Sequence, residues 1–158
     1  MKIKLRNGKS ASEEEIHSLE RVLGCQLSES FKEFLLAFDG AKPETNIFRI
    51  NESNESGVNG FIPIKEIQKE RKRIENIASS EYPVAWAEGG NYVLVDEGRK
   101  GTVWFWDHEI PDAPTELAPN FGAFLNLLEP FDIATIQLKP GQVKKVWIDP
   151  EFLKRLKS

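Results

Sequence analysis

Read for its apolar positions, the chain opens with two helical stripes. Ser12 and Glu15 stand at the spacing of a capping box, in which a hydroxyl and a carboxylate satisfy each other's backbone N–H groups. Ile16, Leu19, Val22 and Leu23 then recur on one face against Glu13, Glu14, Glu20 and Arg21, and Gly24 offers a stop. A first helix of about three turns is expected. After Cys25-Gln26-Leu27, Ser28 or Ser30 can cap a second helix carrying Phe31, Phe34, Leu35 and Phe38 on one face, with Gly40 closing it.

From Ala41 to Gly60 the chain is rich in Asn, Ser, Glu and Gly, which predicts mostly loop with one short strand at Ile47, Phe48 and Ile50. Phe61-Ile62-Pro63-Ile64 reads as an extended lead-in to a charged helix over 65–78. In that helix Ile67, Ile74 and Ile77 face inward, and Lys65, Lys69, Arg71, Lys72 and Arg73 face solvent.

Three strand-like runs follow, Pro83 to Ala87, Tyr92 to Asp96 and Thr102 to Asp107, joined by short glycine-bearing turns that suit antiparallel neighbours. In the third run Val103 and Phe105 alternate with Trp104 and Trp106, so both faces are apolar and the strand is expected at the centre of the sheet. Asn120 caps a helix carrying Phe121, Phe124, Leu125 and Leu128, ended by Pro130. The tail adds strand-like Ile133 to Leu138 and Val143 to Ile148 about a Pro140-Gly141 turn, then a short helix from Pro150. Together these predict an α+β fold: an N-terminal helix pair and further helices packed on a single, mainly antiparallel sheet of five to six strands. One domain over 1–158 is expected, with 131–158 a C-terminal strand and helix extension.

Composition narrows the function classes. The 158 residues carry 21 Lys and Arg against 25 Asp and Glu, a net charge of −4. A chain this long buries about 70% of its unfolded surface and needs no disulfide or metal to hold a core. The single cysteine forms no internal disulfide, the N-terminus is too polar for a signal peptide, and no run of about 18 apolar residues exists. A cytoplasmic chain with no membrane span is therefore expected, and mild acidity disfavours a dedicated nucleic-acid binder.

Candidate chemistry is sparse. Cys25 has only His17 and His108 as bases in the whole chain and reads as a small buried hydrophobe. No GxSxG, papain-type or phosphate-loop motif occurs. Asp107, His108, Glu109 and Asp112 could ligate a metal, but consecutive strand residues point to opposite faces. No catalytic, cofactor or metal site is expected. What stands out is charge. Residues 86–120 carry seven acids against Arg99 and Lys100, a net of −5, whereas residues 137–158 carry six bases against two acids, a net of +4. An acidic region bearing tryptophans can steer and hold a basic protein partner. The partner-binding candidates are Glu88, Asp96, Glu97, Trp104, Trp106, Asp107 and Glu109; the alternative is that Trp86, Trp104 and Trp106 are core and the acids a solvated rim.

The order of these landmarks resembles a known family. Leu27-Ser28-Glu29-Ser30-Phe31-Lys32-Glu33-Phe34-Leu35 with Asp39-Gly40 resembles the opening of the SUKH superfamily, in particular its Smi/Knr-type branch. Phe61-Ile62-Pro63-Ile64, Val93-Leu94-Val95-Asp96, Gly101 to Asp107 and Leu117 to Leu125 resemble its later steps in order, over roughly residues 13–128. Ser28 stands where that pattern usually has Pro, and residues 131–158 extend past its usual end. The resemblance implies a non-catalytic α+β binding domain. Many bacterial members are immunity proteins that neutralise a cognate toxin, often a nuclease or deaminase, by binding it, and a eukaryotic relative regulates cell-wall synthesis. On that basis the first expectation is occlusion of a toxin through the acidic region. The alternatives are a scaffold or regulator of wall or envelope assembly, and an enzyme with an acidic site at Asp96, Asp107, His108 and Glu109.

Overall fold

The computed structural model describes residues 3–130, so the expected elements of the tail lie outside the described residues. The first helix, α1 (Glu13–Leu23), begins where the capping box places it: Ser12 Oγ accepts from the Glu15 N–H at 3.1 Å, and the Glu15 carboxylate accepts from the Ser12 N–H at 3.2 Å. Gly24 ends it in a left-handed conformation, φ 72°, that only glycine adopts without strain. Ile16, Leu19 and Leu23 are buried, but Val22, expected on the same stripe, is 51% exposed. A 3.6-residue period turns position 22 a full step away from the 16–19–23 face.

The second helix, α2 (Glu29–Phe38), has Ser28 at its N-cap without a side-chain capping bond. Its Phe31 and Phe34 pack with Phe121 of α4 (Phe121–Leu127), ring centroids 4.9 and 5.0 Å apart. Asn120 caps α4 by accepting from the Ala123 N–H at 2.8 Å.

Beneath these helices lies an antiparallel meander of β3 (Ile47–Arg49), β4 (Glu55–Phe61), β5 (Glu81–Ala87), β6 (Asn91–Asp96), β7 (Thr102–Trp106) and β8 (Thr115–Ala118), each paired with its neighbour in sequence. Two short strands, β1 (Leu5–Arg6) and β2 (Lys42–Pro43), form a separate pair. The six-stranded sheet curls strongly, so that Phe48 of β3 meets Phe105 of β7 at 5.8 Å although three strands lie between them in the ladder. The meander therefore approaches a barrel.

Register divides the sheet into two faces. The pairs Val93–Phe105 and Val95–Val103 look toward α2 and α4, where Phe48 also touches Phe124 at 5.7 Å. The pairs Tyr92–Trp106 and Leu94–Trp104 look the other way, toward the side reached by α3 (Ile64–Arg71). The α+β expectation and the antiparallel sheet hold. Besides Val22, three local expectations do not. Residues 55–60, read as loop, belong to a strand that runs on into Phe61: Gly57 and Gly60 are free of side chains where Glu88 and Trp86 approach. The tryptophan strand β7 lies fifth of six rather than at the centre, because Thr115–Ala118, not read as a strand, adds only one neighbour outside it. The charged helix stops at Arg71, whose guanidinium donates to the carbonyls of Ala78, Ser79 and Glu81 and folds the chain back.

Candidate acidic crevice at one end of the sheet

In an antiparallel meander, alternate turns fall at the same end. The β3–β4 turn, the β5–β6 turn at Glu88–Gly90 and the β7–β8 loop are thus brought side by side, although they are far apart in the chain. Between them lies an open crevice of about 480 Å³. Ile50, Phe105, Ile110 and Ala113 supply its apolar surface, and Glu55, Glu88 and Asp107 its charge; among the described residues no basic side chain lines it. Each turn is built locally. Asn51 Oδ1 accepts from the N–H groups of Ser53 and Asn54 at 2.8 and 2.9 Å, an Asx turn. Gly89 and Gly90 take φ of 75° and 80° to close the second turn. In the third, Asp107 Oδ1 accepts from the Glu109 N–H at 2.9 Å.

Two contacts tie the turns together. His108 donates from both its backbone N–H (3.1 Å) and Nδ1 (2.7 Å) to Asn91 Oδ1, which places the ring proton on Nδ1. The Glu88 carboxylate lies over Gly57, so close that a Cβ there would sit 2.9 Å from Glu88 Oε1. Gly57 therefore sets where this charge is presented.

Three of the residues expected from sequence, Glu88, Asp107 and Glu109, share this end; Glu88 and Asp107 line the crevice and Glu109 is exposed on the same turn as Asp107. Asp96 and Glu97 do not join them. They lie at the far end of β6, a strand length of about 17 Å away. Asp96 is buried and accepts from Ser80 Oγ at 2.8 Å and the Gly98 N–H at 2.9 Å. Glu97 accepts from the Tyr82 hydroxyl and, at 2.9 Å, from the Ser28 N–H at the start of α2. These acids brace the β6–β7 turn against the helices. Burial, and then Glu97, hold the Tyr82 hydroxyl well above its ordinary titration range. The four groups of the enzyme alternative, Asp96 with Asp107, His108 and Glu109, are therefore divided between opposite ends of the sheet.

The tryptophans divide as well. Trp106 is 7% exposed and packs on Tyr92 at 5.8 Å. Trp104 is half-buried, donates to Thr102 Oγ1 at 2.8 Å and carries the Arg99 guanidinium 4.8 Å above its ring. Neither lines the crevice.

Sequence reading missed Glu70. This buried carboxylate of α3 accepts from Tyr92 OH at 2.6 Å and Trp86 Nε1 at 3.1 Å, fastening the helix to the second face of the sheet. Burial alone would raise its pKa, but the bonds from Tyr92 and Trp86 with the charges of Arg73 and Lys69 bring it below the ordinary carboxylate value. Its position three residues after Ile67 and four before Ile74 was the signal, since that spacing shares their inward face. Among the described residues no three His, Cys, Asp or Glu side chains converge as metal ligands would. No helix among them is long and apolar enough to cross a membrane.

A curled antiparallel meander with helices on both faces, and with its alternate turns gathered into one acidic, open-sided crevice, defines a scaffold that presents loops. The SMI1 / KNR4 family (SUKH-1) matches the chain over residues 10–127, and the chain belongs to that family. The match ends at the last residue of α4. No curated protein matches the sequence.

Proposed function

We propose that this chain is a non-catalytic protein-binding domain that neutralises a cognate bacterial toxin, of nuclease or deaminase type, by covering it. The observation that carries this reading is the crevice: three turns of a SUKH-1 scaffold present Glu55, Glu88 and Asp107 with no base among the described lining residues. Enzymes that act on nucleic acids carry positive charge around the substrate groove, and an acidic surface of this kind steers such a face into register and competes for it. Asp96 and Glu97, committed to internal bonds, are left out of the contact surface.

The test is neutralisation. A toxin domain encoded beside this chain's gene, which the reading requires, is to be expressed alone and together with it. Arrested growth with the toxin alone, rescue on co-expression, and a stoichiometric complex whose association rate falls as salt rises are expected. Growth arrest unrelieved by the chain would sink the reading.

A further inference from the structure

The crevice has features beyond its charge. Its volume of about 480 Å³ falls within the range of about 300–1,000 Å³ typical of ligand pockets. It has an apolar floor in Phe105, Ile50 and Ala113, and on its rim Ile110 is 57% exposed, one of four large hydrophobic side chains left exposed among the described residues. Glu55, Glu88 and Asp107 make no ion pair with another described residue. Nor do the three gather on one point, as the ligands of a bound metal ion would. A dispersed negative field above an apolar floor suits a ligand that is itself two-natured, with a methylene stem and a cationic head.

We infer that the crevice is an anchor pocket for one long cationic side chain, arginine or lysine, presented on a loop of the partner protein. The stem lies along Phe105, Ile50 and Ile110, and the head reaches Glu88 and Asp107. A guanidinium suits the site best, being planar, weakly hydrated and able to engage a carboxylate with two parallel bonds. This inference rests on the reading of the chain as a protein-binding domain and names the chemistry of the contact. Charge complementarity selects the occupant: a neutral or acidic loop would have to bury against three carboxylates without compensation.

The experiment needs no toxin. The full chain, with isotope-labelled Ile and Ala methyl groups, is titrated with the blocked tripeptide acetyl-Gly-Arg-Gly-amide and, separately, with the citrulline peptide of the same shape and no charge. Saturable shifts of Ile50, Ile110 and Ala113 with the arginine peptide, weakened about threefold to tenfold by the double substitution Glu88→Gln and Asp107→Asn, are expected. Ile110→Ala, which removes an exposed side chain and leaves the fold intact, should weaken binding as well. Equal shifts with the citrulline peptide, shifts that survive the double substitution, or the same methyls moving at micromolar calcium chloride would each overturn the pocket. The two readings fail separately. Neutralisation by a chain whose crevice ignores the peptide removes the anchor pocket alone, and peptide binding without neutralisation removes the toxin reading alone.

Discussion

The Tyr92 hydroxyl donates to Glu70 Oε2 at 2.6 Å, joining a strand to a helix through a bond buried on the second face of the sheet. With Trp86 Nε1 on the same oxygen at 3.1 Å, Glu70 ties α3 to both β5 and β6. Replacing it by alanine leaves two donors without a partner. Glu70→Ala is expected to lower unfolding free energy by about 2–4 kcal/mol in urea titrations, and Glu70→Gln by less, because an amide oxygen still accepts. A loss below about 0.5 kcal/mol for the alanine variant would mean that water serves these donors equally well.

The chain has two tyrosines, and each donates to a carboxylate. Burial, and then Glu70, push Tyr92 up to about 12, and Tyr82 is raised too. The folded state therefore holds phenolic protons that the unfolded chain releases near pH 10. That contribution to stability is complete below pH 10 and is lost as pH rises toward 12. Absorbance at 295 nm should show little phenolate at pH 10 in the native protein and about half of both tyrosines ionised once it unfolds at that pH. Glu70→Gln should bring one of the two transitions down. A native titration centred on pH 10 would contradict the structure.

Glu70 acts in the opposite direction at low pH. Its pKa lies below the ordinary value of 4.5, so its contribution is complete above that value and fades as pH falls through the lowered one. Denaturant titrations between pH 6 and pH 3 should lose less stability in Glu70→Gln than in the parent chain; equal losses would count against the assignment.

Two serines at helix starts should behave unlike each other. Ser12 makes both bonds of a capping box, and Ser12→Ala is expected to cost about 1 kcal/mol. Ser28 Oγ is buried without a hydrogen-bond partner among the described residues, so Ser28→Ala should be close to neutral or slightly stabilising, since it removes an unmet polar group. Equal thermal shifts for the two would show that capping geometry is not what distinguishes them.

Asp96 and Glu88 should also separate. Asp96→Ala unpairs Ser80 and Gly98 at a buried position, and a cost of about 1–3 kcal/mol is expected in urea titrations. Glu88→Lys, on an exposed turn, should leave stability within about 0.5 kcal/mol and show itself only in the association rate with a basic partner. An Asp96 variant as stable as the parent would return that residue to the contact surface.

Much of the fold was legible because it is locally determined. Ser12, Gly24 and Asn120 each act through neighbours within four residues, and the turns from Glu88 to Gly101 carry their own glycines. Residues 55–60 were not legible: Gly57, Asn59 and Gly60 have poor strand propensity, and they are held extended by β3 on one side and β5 on the other. The candidate site was half legible for the same reason. Acid content located the region, but whether Glu88 lies beside Asp107 or Asp96 depends on which end of the meander each turn occupies. That is fixed by register over β5, β6 and β7 and by no single segment.

The arrangement of turns has an evolutionary corollary. Glu88, Asp107 and Ile110 sit on connections outside the aromatic interior formed by Phe31, Phe34, Phe61 and Phe121. Insertions or replacements in those two connections and in the β3–β4 turn can give this end of the molecule a different chemistry while leaving the folding unit unchanged, as hypervariable loops do on an immunoglobulin framework. A lineage built on this scaffold can diversify its recognition quickly, because each trial sequence inherits a stable body.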